Sequence, residues 1–152
     1  MEKKLGILLS VSSLPSNHGI GDFGDSCFKF IDWLAANHYT YWQVLPLNPL
    51  GPGYSPYMST CSNALEYRYI SLDLLAREGL IPKVPAFQKD SEAVEFFEVG
   101  EYKKQYLFKA FKKYMKGLTK KEQKKYKKKS KYNRPLPKKV KVTIWGGVLF
   151  WK

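Results

Sequence analysis

The sequence predicts an α/β fold that begins with a parallel β-α-β unit. Two apolar runs, Leu5–Val11 and Tyr41–Leu47, have the aliphatic, β-branched and aromatic composition of buried strands. A segment with helical periodicity lies between them, joined to both by short connections. Strand, helix and strand in this order are parallel by default, because the helix carries the chain back across the sheet.

The first apolar run has an alternative interpretation as part of a signal peptide. Met1–Lys4 is a basic start, and Leu5–Val11 follows it. That run is at the short limit for a signal peptide, and Ser10-Val11-Ser12 is a poor cleavage site, so a first core strand is favoured. No apolar run reaches the ~18 residues of a membrane-spanning helix, so we expect no membrane contact.

The segment between the strands predicts an amphipathic helix. A turn-rich loop precedes it, and Asp22 or Asp25 can cap its free amides, a role favoured over a catalytic pair. Asn37 is the predicted left-handed terminator. One apolar stripe recurs at helical spacing, formed by Phe28, Ile31, Leu34 and Ala35.

Residues 58–90 break this rhythm and predict an insertion instead of another strand-helix repeat. Tyr69–Leu72 is too brief for more than a short strand or turn. Asp73–Glu78 predicts a helical turn or two, which Gly79 ends.

A long helix is predicted over Glu92–Met115, with Gly100 as a potential break. Thr119 and Glu122 have the spacing of a capping box, which predicts the start of another helix. The long helix has lysines on its other faces and one apolar stripe, formed by Leu107, Ala110, Phe111, Tyr114 and Leu118.

Charge is unevenly distributed along the chain. Residues 101–152 hold 19 Lys and Arg against 2 Asp and Glu, a net +17, whereas residues 1–100 hold 7 against 11, a net −4. The Lys-rich stretch 127–131 offers little to bury, and Val140–Trp151 is apolar again, predicted as one strand without an evident partner. Two explanations stay open: an arm that binds nucleic acid non-specifically through its phosphates, or a tail that does not belong to the front.

The two cysteines and two histidines predict neither a disulfide nor a metal site. Cys27 falls in a helical pattern and Cys61 in a polar loop, which favours reduced thiols in a cytoplasmic protein. His18 and His38 are too few, and too far from any cysteine or acidic cluster, to indicate a metal.

The stretch after the second strand is the main functional candidate. Gly51–Tyr57 is rich in Gly and Pro, and its sharp turns would hold the faces of Tyr54 and Tyr57 in place. A strand whose carboxyl end opens into a rigid aromatic loop is typical of ligand sites in α/β barrels. The alternative is a core strand followed by a structural turn.

Five motifs in the front half share their order and spacing with one known family. They are Gly6-Ile7-Leu8-Leu9, Ser13-Leu14-Pro15, Gly19–Gly24, Tyr41–Leu47 and Ser55-Pro56-Tyr57. In these motifs the chain resembles the amylomaltases, which are 4-alpha-glucanotransferases also called disproportionating enzymes. The resemblance covers roughly residues 5–126 and weakens beyond residue 60.

The resemblance implies the N-terminal part of a (β/α)8 TIM barrel, incomplete here, with a subdomain inserted after the second strand. Residues 1–57 would form the first β-α-β unit and its substrate-side loops, residues 58–126 the inserted subdomain, and residues 127–152 a divergent tail. The implied activity is retaining transfer of α-1,4-glucan segments between malto-oligosaccharides, without a cofactor or metal. Such chemistry uses two carboxyl groups about 5–5.5 Å apart.

The resemblance also implies roles for two residues of the loop. Tyr57 matches the family tyrosine that lies against the sugar at the cleavage site, and Ser55 matches a position that contacts the neighbouring sugar. This chain departs from the pattern nearby. Pro52 stands where the family often has an aromatic ring, and Tyr54 would take the place of that ring. Leu65-Glu66-Tyr67-Arg68-Tyr69 stands where the family usually has Gly-Asn-Pro-Tyr.

The family's nucleophile, acid/base and transition-state carboxylates come from later strands, and none of their motifs is present. We therefore expect this chain alone to be inactive. The resemblance stops after Tyr126, at a lysine run of the kind that adenine-rich codons encode, so one hypothesis is an out-of-frame tail on a truncated enzyme. A second chain that completes the barrel is a further possibility.

Overall fold

The computed structural model describes residues 4–59, 61–88 and 91–123, together with the backbone of residues 143–145 and 148–150. The chain is a mixed α/β protein with a small sheet. Its helices and strands are β1 (Gly6–Leu8), α1 (Asp25–Ala36), β2 (Tyr41–Gln43), α2 (Leu72–Arg77), α3 (Phe96–Lys116), β3 (Thr143–Trp145) and β4 (Val148–Phe150).

Strands β1 and β2 pair in parallel, which confirms the predicted β-α-β unit. Ile7 lies opposite Trp42 in the register, and each strand has only three residues in the ladder, fewer than the apolar runs predicted. Beyond β1 the chain leaves the sheet and forms a short 3-10 helix over Val11–Ser13. Each predicted apolar run is therefore longer than the strand it contains and continues into a buried segment that makes no strand pairing.

The prediction of one unpartnered strand over Val140–Trp151 is wrong. The structure has two strands there, β3 and β4, which pair antiparallel with each other. Strand β4 also pairs antiparallel with β2, so the sheet order is β1-β2-β4-β3. The unpaired N–H and C=O groups on the edge of β2 provide the partner, which the sequence alone does not reveal.

One face of the parallel pair packs on helix α1 and the other is open. Trp42 is buried, its ring meets Phe30 edge-on at 5.1 Å between centroids, and its indole Nε1 donates to the carbonyl oxygen of Leu9 at 2.9 Å. On the opposite face the side chain of Leu8 is 60% exposed. The core thus lies between the sheet and α1.

The prediction that Asp22 or Asp25 caps helix α1 is wrong. The N-cap residue is Gly24, and no side chain caps it with a hydrogen bond. A Cβ at Gly24 would lie 2.6 Å from Oγ of Ser71, so this position is packed against the start of α2. Asp25 sits in the first turn and forms an ion pair with Arg77, whereas Asp22 turns inward.

The left-handed residue after α1 is His38, with φ of 61°, and not the predicted Asn37, whose φ is −100°. The carboxamide of Asn37 donates to the carbonyl oxygen of Trp33 at 2.8 Å. Because Asn37 closes the last turn with its side chain, the change of direction falls one residue later.

After the 50–57 loop the chain forms a 3-10 turn over Tyr67–Tyr69 and continues into α2. Ser71 caps α2 by accepting a hydrogen bond from the amide of Leu74. Gly79 follows the helix with φ of +70°, as the sequence predicts for a glycine terminator.

Helix α3 begins at Phe96, four residues later than predicted, and continues through Gly100 without a break. A Cβ at Gly100 would lie 2.7 Å from the hydroxyl oxygen of Tyr67, so this glycine permits close approach of the Tyr67–Tyr69 turn. The predicted stripe is wrong for Phe111 and Tyr114, which are exposed. It is confirmed for Ala110, which is buried, and the buried face of α3 also includes Val99 and Lys103, which the stripe did not contain.

The capping box is confirmed. The amide of Thr119 donates to the Glu122 carboxylate at 2.9 Å, the amide of Glu122 donates to Oγ1 of Thr119 at 3.3 Å, and residues 120–123 are helical. Across the described parts of the chain, no helix has the length and apolar character needed to cross a membrane.

Candidate functional site

The loop over residues 50–57 follows a short segment that continues from the end of strand β2. Val44 and Leu47 are buried, so the segment that enters the loop is fixed in the core. The side chain of Asn48 then donates to three carbonyl oxygens of the facing segment, those of Cys61 (3.3 Å), Ser62 (2.8 Å) and Ala64 (3.1 Å). These bonds close the base of the loop.

The backbone of the loop folds back on itself. Gly53 has φ of 64° and Tyr54 has φ of 57°, two successive left-handed residues. The amide of Tyr54 donates to the carbonyl oxygen of Gly51 at 2.9 Å, and the amide of Gly51 donates to that of Ser55 at 3.0 Å. A Cβ at Gly51 would lie 1.8 Å from the carbonyl oxygen of Met58, so a glycine is required there.

The two predicted site residues lie together at the end of this loop. Tyr57 is 73% exposed, and its backbone amide donates to Oγ of Ser55 at 3.3 Å. The hydroxyl of Ser55 therefore supports the turn that carries the ring. The structure places an open aromatic face beside a partly buried hydroxyl, and sugar binding at either residue stays a prediction.

Tyr54 is held against Phe96 and Arg68. Its ring stacks on Phe96, the first residue of α3, with 5.0 Å between centroids and an interplanar angle of 17°. The guanidinium of Arg68 lies 5.6 Å from the centroid of the Tyr54 ring. Tyr54 therefore attaches the middle of the loop to α3.

Glu66 and Arg68 form a buried ion pair beneath the loop. Oε1 of Glu66 accepts from Nη1 of Arg68 at 2.6 Å, and Oε2 accepts from the amide of Leu50 at 2.9 Å. The Glu66 side chain is 1% exposed and that of Arg68 is 12% exposed. A carboxylate this deeply buried must be paired and hydrogen-bonded, and its partners here include the first residue of the loop.

A second buried ion pair joins Asp22 to Lys103 of α3. Nζ of Lys103 donates to Oδ2 of Asp22 at 2.9 Å and to the carbonyl oxygens of Arg68 (2.7 Å) and Ile70 (3.0 Å), which uses all three of its protons. Burial lowers the pKa of Lys103, and the charge of Asp22 opposes that effect. The prediction that the α3 lysines face outward is wrong for Lys103.

A sequence signal for this buried lysine exists. Lys103 lies four residues after Val99 and seven before Ala110, which places all three on one helical face. The apolar spacing could have marked residue 103 as buried, and a buried lysine requires an acidic partner. The sequence does not say that Asp22, 81 residues away, is that partner.

His18 links the loop before α1 to α2 and α3. The hydroxyl of Tyr102 donates to the carbonyl oxygen of Pro85, so Nδ1 of His18, 2.9 Å from the same hydroxyl, is the donor in that contact. Nε2 of His18 lies 3.2 Å from Oδ1 of Asp73, without hydrogen-bond geometry. Burial raises the pKa of Tyr102 to about 12.

Both cysteines are free thiols, Cys27 buried and Cys61 exposed. Burial, followed by the charge of Asp22, raises the pKa of Cys27 to about 12, which leaves it an unreactive thiol at neutral pH. The described residues contain no group of three His, Cys, Asp or Glu side chains placed to hold a metal ion.

A cleft of about 310 Å³ opens between the loop around Asn17 and the segment around Phe87. Neither Ser55 nor Tyr57 lines it. The lysine run at residues 127–131, on which the nucleic-acid prediction depends, lies outside the described residues.

Comparison with known proteins identifies the family. The sequence profile of the 4-alpha-glucanotransferase family matches residues 9–136. The chain is 45% identical to a 4-alpha-glucanotransferase of Synechocystis sp. over 111 residues, which is 70% of this chain and 22% of that protein. It is 44% identical to one from Aquifex aeolicus over 109 residues, 70% of this chain and 22% of that protein.

The structure also resembles a solved one, the amylomaltase from Streptococcus agalactiae in complex with acarbose. The TM-score is 0.72 at 32% identity, and the match covers 83% of this chain and 26% of the amylomaltase. The chain thus spans only about a fifth of the length of the curated relatives it matches. By its sequence and its fold, this chain belongs to the 4-alpha-glucanotransferase family.

Proposed function

We propose that this chain provides a glucan-binding surface of a 4-alpha-glucanotransferase, in which Tyr57 stacks on a sugar ring and Ser55 contacts the neighbouring sugar. The observation that carries this proposal is the 73% exposed ring of Tyr57 on a tightly hydrogen-bonded loop. The exposed face of this ring is available for stacking, and a loop that is already fixed spares the cost of ordering the ring on binding.

The family and the related structure support the proposed substrate class. The amylomaltase of Streptococcus agalactiae is a complex with acarbose, a maltooligosaccharide analogue. We therefore assign α-1,4-linked glucans as the ligand of the Tyr57 loop. In this proposal residues 1–57 belong to an incomplete (β/α)8 barrel, and residues 58–126 form the subdomain inserted after its second strand.

Bond cleavage is not part of the proposed function of this chain alone. A retaining transfer requires one ionised carboxylate as nucleophile and one protonated carboxyl group as acid. The two buried carboxylates among the described residues, Asp22 and Glu66, are each neutralised by a cation and hold the structure together. We propose that the chain binds glucan without cleaving it.

The test is a titration of the 152-residue chain with acarbose and with maltotriose. Ligand-observed NMR and calorimetry monitor the binding. We expect Tyr57→Ala to weaken acarbose binding by about tenfold, equivalent to ~1.4 kcal/mol, and Tyr57→Phe to keep most of the affinity because the ring remains. Phe108→Ala, at another exposed ring on α3, is the matched control and should bind like the unchanged chain. Equal binding by Tyr57→Ala, or release of glucose from maltotriose, would contradict the proposal.

A further inference from the structure

Two places where the sequence departs from the family pattern meet in the folded chain. Tyr54 comes from the first departure, and Glu66 and Arg68 come from the second. We infer that these three residues form one coupled clamp that holds the 50–57 loop in the conformation presenting Tyr57. They are positioning residues, and the inference rests on the proposed function only for its ligand-binding readout.

The first point of attachment is the start of the loop. The amide of Glu66 donates to the carbonyl oxygen of Leu47 at 2.8 Å, and its carboxylate accepts from the amide of Leu50 at 2.9 Å. Glu66 therefore holds both ends of the short segment that connects the core to the loop. Its burial makes these bonds costly to break, because a charged oxygen left without donors has no water to replace them.

The second point of attachment is the middle of the loop. Nε of Arg68 donates to the carbonyl oxygen of Phe96 at 2.9 Å, which fixes the guanidinium at the start of α3. The same group lies 5.6 Å from the ring centroid of Tyr54, whose ring stacks on Phe96. Cation, ring and helix end thus form one layered contact.

The guanidinium couples the two points of attachment. Its Nη1 binds Glu66 at 2.6 Å and its Nε binds the carbonyl oxygen of Phe96, and both nitrogens belong to one rigid plane. The position of Glu66 therefore sets the position of the cation relative to Tyr54. A lysine at position 68 has no fork and cannot keep both bonds in this geometry.

The experiment compares Arg68→Lys, Tyr54→Ala and the double variant by amide hydrogen exchange of the 50–58 peptide. The amides of Leu50, Gly51 and Tyr54 are hydrogen-bonded, so this peptide reports loop opening directly. We expect each single variant to raise exchange by about tenfold, and the double variant to exchange no faster than the faster single one, because both remove the same contact.

Two further variants control for general effects. Tyr54→Phe keeps the ring and should exchange like the unchanged chain. Lys104→Ala removes an exposed α3 lysine whose carboxylate partner is Glu101, and it should leave the 50–58 peptide unaffected. Acarbose affinity should fall by about fivefold in Arg68→Lys and Tyr54→Ala, in parallel with loop exchange and not with the melting temperature.

The inference and the proposed function can fail separately. Unchanged exchange in both single variants, or multiplied effects in the double variant, would overturn the clamp. If the unchanged chain does not bind acarbose, the proposed function fails, and exchange still decides whether the clamp exists. If acarbose binds but the clamp variants bind equally well, with Tyr57→Ala impaired, the positioning role is wrong while the glucan site stands.

Discussion

The two buried ion pairs of this chain differ in what they hold. Lys103 of α3 is fully buried beside Asp22, and its three acceptors lie in the loop before α1 and in the segment around Arg68 and Ile70. Arg68 is 12% exposed, and its carboxylate partner Glu66 reaches the amide of Leu50 in an exposed loop. The first pair fixes α3 and the segment around Arg68 and Ile70 to the loop before α1, and the second fixes a surface loop. One buried ion pair therefore holds parts of the core together, and the other holds the loop that carries the ring of Tyr57.

Removing the deeper cation should have the largest effect. Lys103→Met leaves Asp22 and two carbonyl oxygens buried without their donor, and we expect a loss of about 3–5 kcal/mol in the free energy of unfolding. Arg68→Met should lose only about 1–3 kcal/mol, because Glu66 keeps its backbone donors. Urea unfolding followed by tryptophan fluorescence measures both. Equal losses of unfolding free energy in the two variants would contradict the expectation that the more deeply buried pair contributes more to stability.

Alkaline pH should destabilise the folded chain through the buried thiol of Cys27, which lies near the carboxylate of Asp22. Burial, aided by that carboxylate, raises the pKa of Cys27 from 9.0 to about 12, so the folded state keeps a proton that the unfolded state loses. The stabilisation is fully present below pH 9 and is lost as pH rises from 9 to about 12, at no more than ~1.4 kcal/mol per pH unit. Cys27→Ala should flatten this decline in urea unfolding at successive pH values.

Cys61→Ala is the matched control for that experiment because Cys61 is an exposed thiol. It should leave the alkaline decline as steep as in the unchanged chain. Tyr102 contributes a smaller decline of its own between pH 10 and about 12, so Cys27→Ala should flatten the slope without abolishing it. An unchanged slope in Cys27→Ala would contradict the assignment.

The smallest expected effect concerns the backbone of the surface loop. A Cβ at Gly53 meets nothing within 4 Å, so Gly53→Ala changes only the preference for its φ of +64°. We expect a loss of about 1 kcal/mol in the free energy of unfolding, since alanine disfavours left-handed geometry. Gly79→Ala, with φ of +70° and equally open space, should lose the same amount. Thermal unfolding of both variants tests this, and a gain in stability would exclude the left-handed conformation.

Much of the fold was predictable because it depends on local chemistry. The parallel β-α-β unit, the Gly79 terminator and the Thr119 capping box follow from hydrophobic periodicity and from the side chains at helix ends. The capping role of Asp22 was wrong because the same carboxylate that could cap a helix is also the partner a distant buried lysine needs. A local sequence pattern predicts the role of such a carboxylate correctly only when no distant residue in the chain competes for it.

The sequence by itself determined the family, the order of the first elements and the candidate residues Tyr57 and Ser55, because short motifs and turn chemistry are written in adjacent residues. Only the tertiary structure decided that β4 pairs with β2, that Lys103 pairs with Asp22, and that Tyr54, Glu66 and Arg68 meet beneath the loop. These contacts join residues far apart in the chain. Their partners are selected by burial and geometry in the folded state, which no local pattern encodes.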